Sequence, residues 1–563
     1  MKYTAPVEST TFLLRDVLKF DNELTEPILN EAAKLCEEVI APVNQEGDED
    51  GCQYWHNTVG DSSYPEIYIP VCFHDPWEKF RDGGWIGLSI PERFGGQGLP
   101  FTLAVAANEY VSSSCMAFSL YPGITRAAIQ TLLVSGSEYQ KAEFIPKLVT
   151  GEWTGTMCLT EPHCGTDLGL LKTKAIQDDA AGGYRITGQK IFITGGEHDL
   201  TDNILHLVLA RVEGDPEGVK GISLFAVPKF WMNDDKKIRN NVSCGSIEDK
   251  MGIHGSPTCQ MFFDNAIGIL VGERCRGLNA MFVMMNELRL GCAVQGLSQS
   301  ELAYQNALEY AKERKQGTSM VHRDSGTVPI ILHPDVRRML LDVKCINEAS
   351  RLLILEAAML VDDQSDEAQD RLGLMTPVLK GVITDYGVEN AIKMQQVWGG
   401  HGYVRDNGME QIVRDARIAM VYEGANGIQA LDLVGRKLPK NMGRAITRFF
   451  KDSATFLTSS YDKGINHIVQ PVTVGLNELK QATEWLAENG LKNPNDAGGA
   501  SYDYMKMFGL VLLGMAHIKI CLATDDKDRH NTAEYFMNRI LPETSMLLKR
   551  MRFGSETMMK ANL

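Results

Sequence analysis

The sequence has no apolar run near its start. MKYTAPVESTTFLLRDVLKF carries neither an h-region nor a small-residue cleavage site, so secretion is not expected and a cytoplasmic location is. Nor is there a convincing membrane span. The most apolar stretch, MFGLVLLGMAHIKICLA at 507–523, is interrupted by His517 and Lys519 and falls short of the ~20 residues a bilayer requires, so it reads as a buried helix. Positive charge is under-represented: the formal balance of −16 argues against a general nucleic-acid binder while leaving small anionic ligands possible. The 12 cysteines lack the even spacing of a disulfide framework. Cys52, His56, Cys72 and His74 lack the close pairing of a structural zinc site, as do His163 and Cys164, and no metal is expected. GGWIGLSIPERFGGQGLP, from Gly83, is rich in glycine but lacks the strand, GxGxxG and helix order of a dinucleotide fingerprint, which excludes a Rossmann reading. Repeats and low-complexity tracts are absent.

A chain of 563 residues with 44 % hydrophobic content can bury a large core and divide into several domains. Residues 1–152 mix helical spacing, as in Ala32, Leu35 and Val39, with an irregular insert at 44–80. From 153 to 275 the runs turn β-rich: YRITGQKIFIT reads as a hairpin turning at Thr187-Gly188, followed by NILHLVLARV and GISLFAVPKF. The helical period returns over 276–440, through Leu278, Met281, Met285 and Leu288, then Val336, Met339, Val343 and Ile346. Residues 441–563 add further helices, with KNPNDAGGAS expected as a loop before the last apolar one. The expected fold class is α+β, mainly α: an N-terminal helical domain, a central β-barrel-like domain, a helical bundle and a helical C-terminal extension.

Three stretches invite chemistry. MCLTEPHCGTDLGLLKTKA, from Met157, is a loop of glycines, hydroxyls and acids whose backbone N–H groups can face an electron-rich ligand, or simply link domains. QVWGGHGY, from Gln396, ends a long helix, where its glycines either allow close backbone approach or serve only as a stop. VYEGANGIQALDLVGRK, from Val421, sets Glu423 beside Gly424 and Gly427, ahead of a helix face of Ile428, Leu431 and Val434. A carboxylate there is either a solvated first-turn acid facing the helix dipole or a positioned base.

Taken in order, GGWIGL…FGGQGLP, GEWTGTMCLTEPHCGTDL, ITGQKIFITGGEHDL, EDKMGIHGSPTC, ERKQG, QVWGGHGY and RDARIAMVYEGANGIQAL resemble the acyl-CoA dehydrogenase family over roughly residues 1–440, and the segment beyond resembles its longer members. The resemblance implies FAD held between the β domain, the bundle and a neighbouring subunit, hence at least a homodimer. It implies that Glu423 is the base removing the α-proton of an acyl-CoA thioester while FAD takes the β-hydride. The thioester oxygen would then be held by the backbone N–H of Glu423 with a flavin hydroxyl, and Gly424 would border the substrate. Desolvation is what makes a carboxylate basic enough for so weak a carbon acid.

By the same resemblance Met157, Leu159, Thr160, Gly165 and Thr166 form the first flavin loop, and Phe192 and Thr194 lie against the ring. Arg314 meets the pyrophosphate from the adjacent subunit, with an exposed helix-end cation as the plain alternative. Gln396, Gly399 and Gly400 serve the adenosine side. Arg289 lies near the CoA end, or else makes an internal salt bridge. Departures from the family pattern are Phe192 in place of Trp, Ala425 in place of Thr, and His254 where arginine is common. The long form looks most like the branch that dehydrogenates 3-methylthiopropanoyl-CoA in dimethylsulfoniopropionate breakdown, passing electrons to an electron-transferring flavoprotein. Broad fatty acyl-CoA dehydrogenases, an acyl-CoA oxidase and a nucleic-acid-associated flavoprotein are the alternatives. The Met-rich MFVMMNE would suit a thioether or an alkyl chain equally.

Overall fold

The computed structural model describes residues 1–56, 65–233, 236–321 and 326–563. The chain forms two compact units: Lys34–Ala104 with Ser114–Leu288, and Met1–Ala33 with Val105–Ser113 and Arg289–Leu563.

The first unit combines helices, including α1 (Met116–Ser135), with a seven-stranded sheet: β1 (Trp153–Cys158), β2 (Lys174–Asp178), β3 (Gly183–Thr194), β4 (Asn203–Val212), β5 (Ile222–Pro228), β6 (Val242–Ile247) and β7 (Thr258–Val271). β7 pairs with β3, β3 with β2, β2 with β4, β4 with β5 and β5 back with β7, so five strands close a ring. The barrel-like expectation is met. β6 hangs on β7 and β1 on β4, the latter in parallel register with Trp153 opposite Asn203. β4 and β5 are apolar and buried almost throughout, and the interior packs Val208, Ala210, Phe225, Val227, Met261 and Phe263. Such a continuous β-branched and aromatic run suits strands covered on both faces.

The hairpin expected at Thr187-Gly188 is not there: β3 is a single strand of 12 residues. A side chain at 188 would stand 2.4 Å from Thr173 Oγ1, so glycine serves close approach of a neighbouring segment rather than a turn.

In the second unit the long helices are the later part of α2 (Gly277–Glu313), then α3 (Pro334–Asp362) and α4 (Asp366–Val397), and, after the short α5 (Asn426–Asp432), α6 (Arg444–Ser460), α7 (Asn466–Asn489) and α8 (Pro494–Leu522). α8 is 83 % buried over its most apolar window, as a core helix should be. It begins earlier than the composition of KNPNDAGGAS suggests. The Asn493 side chain accepts from the Asn495 N–H and Pro494 occupies the first turn, a cap strong enough to carry Gly498 and Gly499 into the helix. The core also holds an ion cluster: Arg351 Nη2 lies 2.7 Å from Glu109 and 3.1 Å from Glu301, all three buried.

Candidate active site

Glu423 lies in a bend between the short helix ending at Met420 and α5. It takes φ 58°, and Gly424 takes φ 88°. Two consecutive left-handed residues are costly unless held. The Gln429 Nε2 amide donates to the Glu423 carbonyl at 3.1 Å and to the Gly424 carbonyl at 3.2 Å, and Arg289 Nε donates to the Glu423 carbonyl at 3.4 Å. A Cβ on Gly424 would stand 2.6 Å from that Gln429 amide, so glycine here serves both the dihedral and the clamp. Among the described residues the N–H groups of Glu423 and Gly424 have no acceptor.

The bend leaves Glu423 half-buried, with one carboxyl oxygen turned away from solvent. Its Oε2 is inaccessible to solvent and has no hydrogen-bond partner among the described residues. Burial pushes its proton affinity from the ordinary 4.5 up to about 7, against the pull of Arg289 and Lys380, which favour the ionised form. A carboxylate so placed is poised to exchange a proton near neutrality. The neighbours feel the same desolvation: Cys292 is pushed up to about 12, Tyr422 well above the usual tyrosine range, and Lys380 and Arg289 downward. The solvated first-turn acid is therefore not what the structure displays.

The helix after the bend turns a different face inward than its apolar spacing suggests. Asn426, Gln429, Ala430 and Leu433 are buried, while Leu431 is 46 % exposed. The reason is polar: Gln429 secures the bend, and Asn426 accepts from Lys380 Nζ at 2.7 Å and donates to Asp385 Oδ1 at 2.7 Å. Lys380 and Gln429 were not singled out in the sequence. The signals were a lone lysine within the apolar run PVLKGV and a glutamine inside the base motif itself. Arg289 is 4 % exposed, 3.7 Å from Asp432 Oδ2, so the internal ion pair weighed against a CoA-side role is present.

In the same unit, Arg314 directly follows α2, exposed and with no ion pair among the described residues. One turn earlier Tyr310 stacks on Trp398 at 4.3 Å and meets His401 Nδ1 at 2.8 Å, pinning that helix end to the segment of Gln396, at the end of α4, and Gly399 and Gly400 just beyond it. Gly399 has φ 58°, and neither it nor Gly400 has an atom within 4 Å of where a Cβ would stand.

In the barrel unit, Met157 lies on β1, and Leu159, Thr160, Gly165 and Thr166 on the loop that follows. Fully buried Lys190 anchors this loop, donating to the Leu159 carbonyl at 3.0 Å and to Glu161 Oε1 at 2.8 Å, while the Ile191 N–H donates to the Thr160 carbonyl at 2.9 Å. Phe192 sits where β3 is irregular against β7, in the register shift between Cys259 and Met261. That bulge gives Phe192 φ 59° and turns its ring outward, 59 % exposed, two residues from Thr194. His254, where arginine is common in the family, pairs with buried Asp48 at 3.0 Å. Glu161, His163 and Cys164 lie within ligand distance of one another, as do Glu46, Asp50 and Cys72. In the first group Glu161 is already committed to Lys190 and to the Lys172 and Thr173 N–H groups. Of the four residues with a conceivable zinc reading, His74 faces Asp199 at 3.4 Å, and the His56 side chain lies outside the described residues.

Family models match along almost the whole chain: the acyl-CoA dehydrogenase N-terminal domain at 22–152, middle domain at 156–266 and C-terminal domain at 275–438, and an acetyl-CoA dehydrogenase C-terminal-like domain at 445–562. The chain is 36 % identical to 3-methylmercaptopropionyl-CoA dehydrogenase of Ruegeria pomeroyi over the full length of both. It is 35 % identical to a butyryl-CoA dehydrogenase of Syntrophomonas wolfei, covering 81 % of this chain and 77 % of that one. Among solved structures, Caenorhabditis elegans ACDH-11 in complex with C11-CoA matches with a TM-score of 0.83 and 18 % identity, over 96 % of this chain and 92 % of that one.

Proposed function

The chain belongs to the acyl-CoA dehydrogenase family, and from that premise we propose that it oxidises 3-methylthiopropanoyl-CoA to 3-methylthioacryloyl-CoA, with Glu423 as the base and an electron-transferring flavoprotein as electron acceptor. The observation that carries the reading is the Glu423 carboxyl: half-buried, with Oε2 out of solvent and without a hydrogen-bond partner among the described residues, and pushed up to about 7. A structural carboxylate in a core is normally paired. This one is left free to take a proton.

The residues present fit FAD. Phe192 offers an exposed aromatic face, Gly399 and Gly400 offer backbone that no side chain crowds, and Arg314 offers a guanidinium without an ion pair among the described residues. In this reading Met157, Leu159, Thr160, Gly165, Thr166, Phe192 and Thr194 hold the flavin end, Arg314 reaches the pyrophosphate from an adjacent copy of the chain, and Gln396, Gly399 and Gly400 serve the adenosine. When bound, FAD supplies the acceptor for the hydride leaving the β-carbon. The chain's own task is the α-proton, which passes to the Glu423 carboxylate. As that C–H bond breaks, negative charge builds on the thioester oxygen, to be discharged when the hydride leaves the β-carbon and the Cα=Cβ bond forms, and the free N–H groups of Glu423 and Gly424 are the donors available to it. Gln429 and Arg289 keep those N–H groups aimed by holding the carbonyls of the same two residues.

The thioether substrate is supported by full-length similarity to a protein of that activity, and a short linear acyl-CoA by the similarity to a butyryl-CoA dehydrogenase. Anaerobic flavin bleaching with 3-methylthiopropanoyl-, butanoyl- and octanoyl-CoA decides between them. The thioether substrate is expected to give the highest kcat/KM, and faster bleaching by butanoyl- or octanoyl-CoA removes that assignment. Peroxide formation measured against reduction of an electron-transferring flavoprotein tests the acceptor, with peroxide as the main product pointing to an oxidase.

A further inference from the structure

We propose that Lys380, Asn426, Asp385 and Tyr502 form a positioning relay through which the C-terminal helix α8 holds the loop of Glu423 in its working conformation. The proposal rests on the reading of Glu423 as the base and extends it to a part of the chain with no role so far. The bonds converge on Asp385. The Tyr502 hydroxyl, on α8, donates to Asp385 Oδ2 on α4, and Asp385 Oδ1 accepts from Asn426 Nδ2 at 2.7 Å. Asn426 stands three residues after Glu423. Its amide also donates to the Gly381 carbonyl at 3.0 Å and to Thr384 Oγ1 at 2.9 Å, and its Oδ1 accepts from Lys380 Nζ at 2.7 Å.

Each member has a physical reason to be where it is. Lys380 is fully buried, and Asn426 Oδ1 is its hydrogen-bond acceptor among the described residues. An ammonium so desolvated is costly to leave unpaired, so it holds Asn426 firmly. The titratable groups around it are Cys292, Glu423, Asp385 and Arg289, which places the lysine beside the base as well as beside the relay. The Asn426 amide, with both ends used, ties the start of α5 to α4. Tyr502 closes the relay at the protein surface, 37 % exposed.

The packing of α8 on α4 makes the contact possible. A Cβ on Gly381 would come within 2.4 Å of Met505, and one on Gly509 within 2.7 Å of Val382. Glycine on each helix opposite a large side chain on the other lets the two axes approach closely enough for Tyr502 to reach Asp385. A member of this relay can be altered without altering the base or its clamp: Tyr502 touches neither Glu423 nor Gln429.

The experiment uses the full chain loaded with FAD and butanoyl-CoA as the probe, with variants Tyr502→Phe, Asn426→Ala and the exchange Asn426→Asp with Asp385→Asn. Tyr502→Phe keeps the ring and removes only the hydroxyl. Its limiting rate of flavin bleaching is expected to fall about fivefold and that of Asn426→Ala about thirtyfold or more, with half-saturating substrate unchanged within about twofold. The paired exchange keeps an acceptor for Lys380 and a donor facing position 426, and should recover part of the rate. A second readout needs neither cofactor nor turnover. Hydrogen–deuterium exchange of residues 421–429 should accelerate in Tyr502→Phe and Asn426→Ala while α4 and α8 keep wild-type protection. Wild-type bleaching together with unchanged exchange at 421–429 overturns the relay, as does acceleration spread evenly over α4 and α8, which would mean plain destabilisation. Glu423→Gln is the separate control: turnover there sinks the base itself, whatever the exchange data say of the relay.

Discussion

The proton affinity of Glu423 predicts how the protein responds to pH in two independent measurements. With a value of about 7 in the fold against the ordinary 4.5, the carboxylate is only about one-tenth ionised at pH 6 and about nine-tenths at pH 8. If ionised Glu423 is the base, kcat/KM must rise about tenfold over that interval, whereas a solvated glutamate would give a flat profile. The same burial sets a stability cost. The folded value lies above the unfolded one, so the fold favours the protonated form. No penalty exists below about pH 4.5, it grows as pH rises through the window to about 7, and it is complete above that. Moving from 4.5 to about 7 corresponds to roughly 3 kcal/mol at 1.36 kcal/mol per tenfold. Glutamine has the shape of the protonated acid and carries no charge. Glu423→Gln should therefore melt higher than wild type at pH 8, by about 2–3 °C for a chain of this size, and the gap should close toward pH 5. The assays are a steady-state profile from pH 5.5 to 9 and differential scanning fluorimetry of both proteins across the same range. A flat profile with no pH-dependent gap in melting would refute the idea that this side chain is buried and basic.

Two further outcomes test the scaffold around the base. Gly424→Ala puts a Cβ where the Gln429 amide now lies and forces alanine to φ 88°, a strain of about 1–3 kcal/mol. The limiting bleaching rate should fall at least about tenfold while FAD content by absorbance stays at wild type, and a wild-type rate would show that the clamp is dispensable. Arg351→Met removes the cation between buried Glu109 and Glu301 and leaves two carboxylates facing each other, for a loss of about 3–5 kcal/mol. Urea denaturation at pH 7.5 should register that loss, and it should shrink at pH 5 as Glu109, whose burial holds its proton affinity above the ordinary carboxylate value, takes up a proton.

How much of this could be read in the sequence depended on whether the signal was local. The change from helical to β-rich spacing near 153 and back near 276 was legible because amphipathic period is a property of short windows. The hairpin at Thr187-Gly188 failed for the complementary reason. Gly188 answers to Thr173, fifteen residues upstream, and nothing near it distinguishes a close contact from a turn. Glu423 was visible beside its glycines, but its burial was not, since desolvation is a sum over many distant residues. The inward face of α5 misled as well: apolar spacing pointed to Ile428, Leu431 and Val434, while buried Asn426 and Gln429 were claimed by Lys380, Asp385 and the backbone of the bend. Long-range polar pairing of this kind leaves almost no trace in a single sequence. The composition of KNPNDAGGAS is that of a loop, yet one capping asparagine and one proline are enough to start α8 there.

The ring of strands from β3 through β2, β4 and β5 to β7 has a bearing on how the molecule behaves in a crowded solution. A sheet that bites its own tail offers no long row of unpaired N–H and C=O groups to a passing chain. The unpaired margins left in this sheet belong mainly to β1 and β6, each six residues long, too short to template much. Self-sealing of this kind protects against fibre-like stacking without spending surface charge on the task.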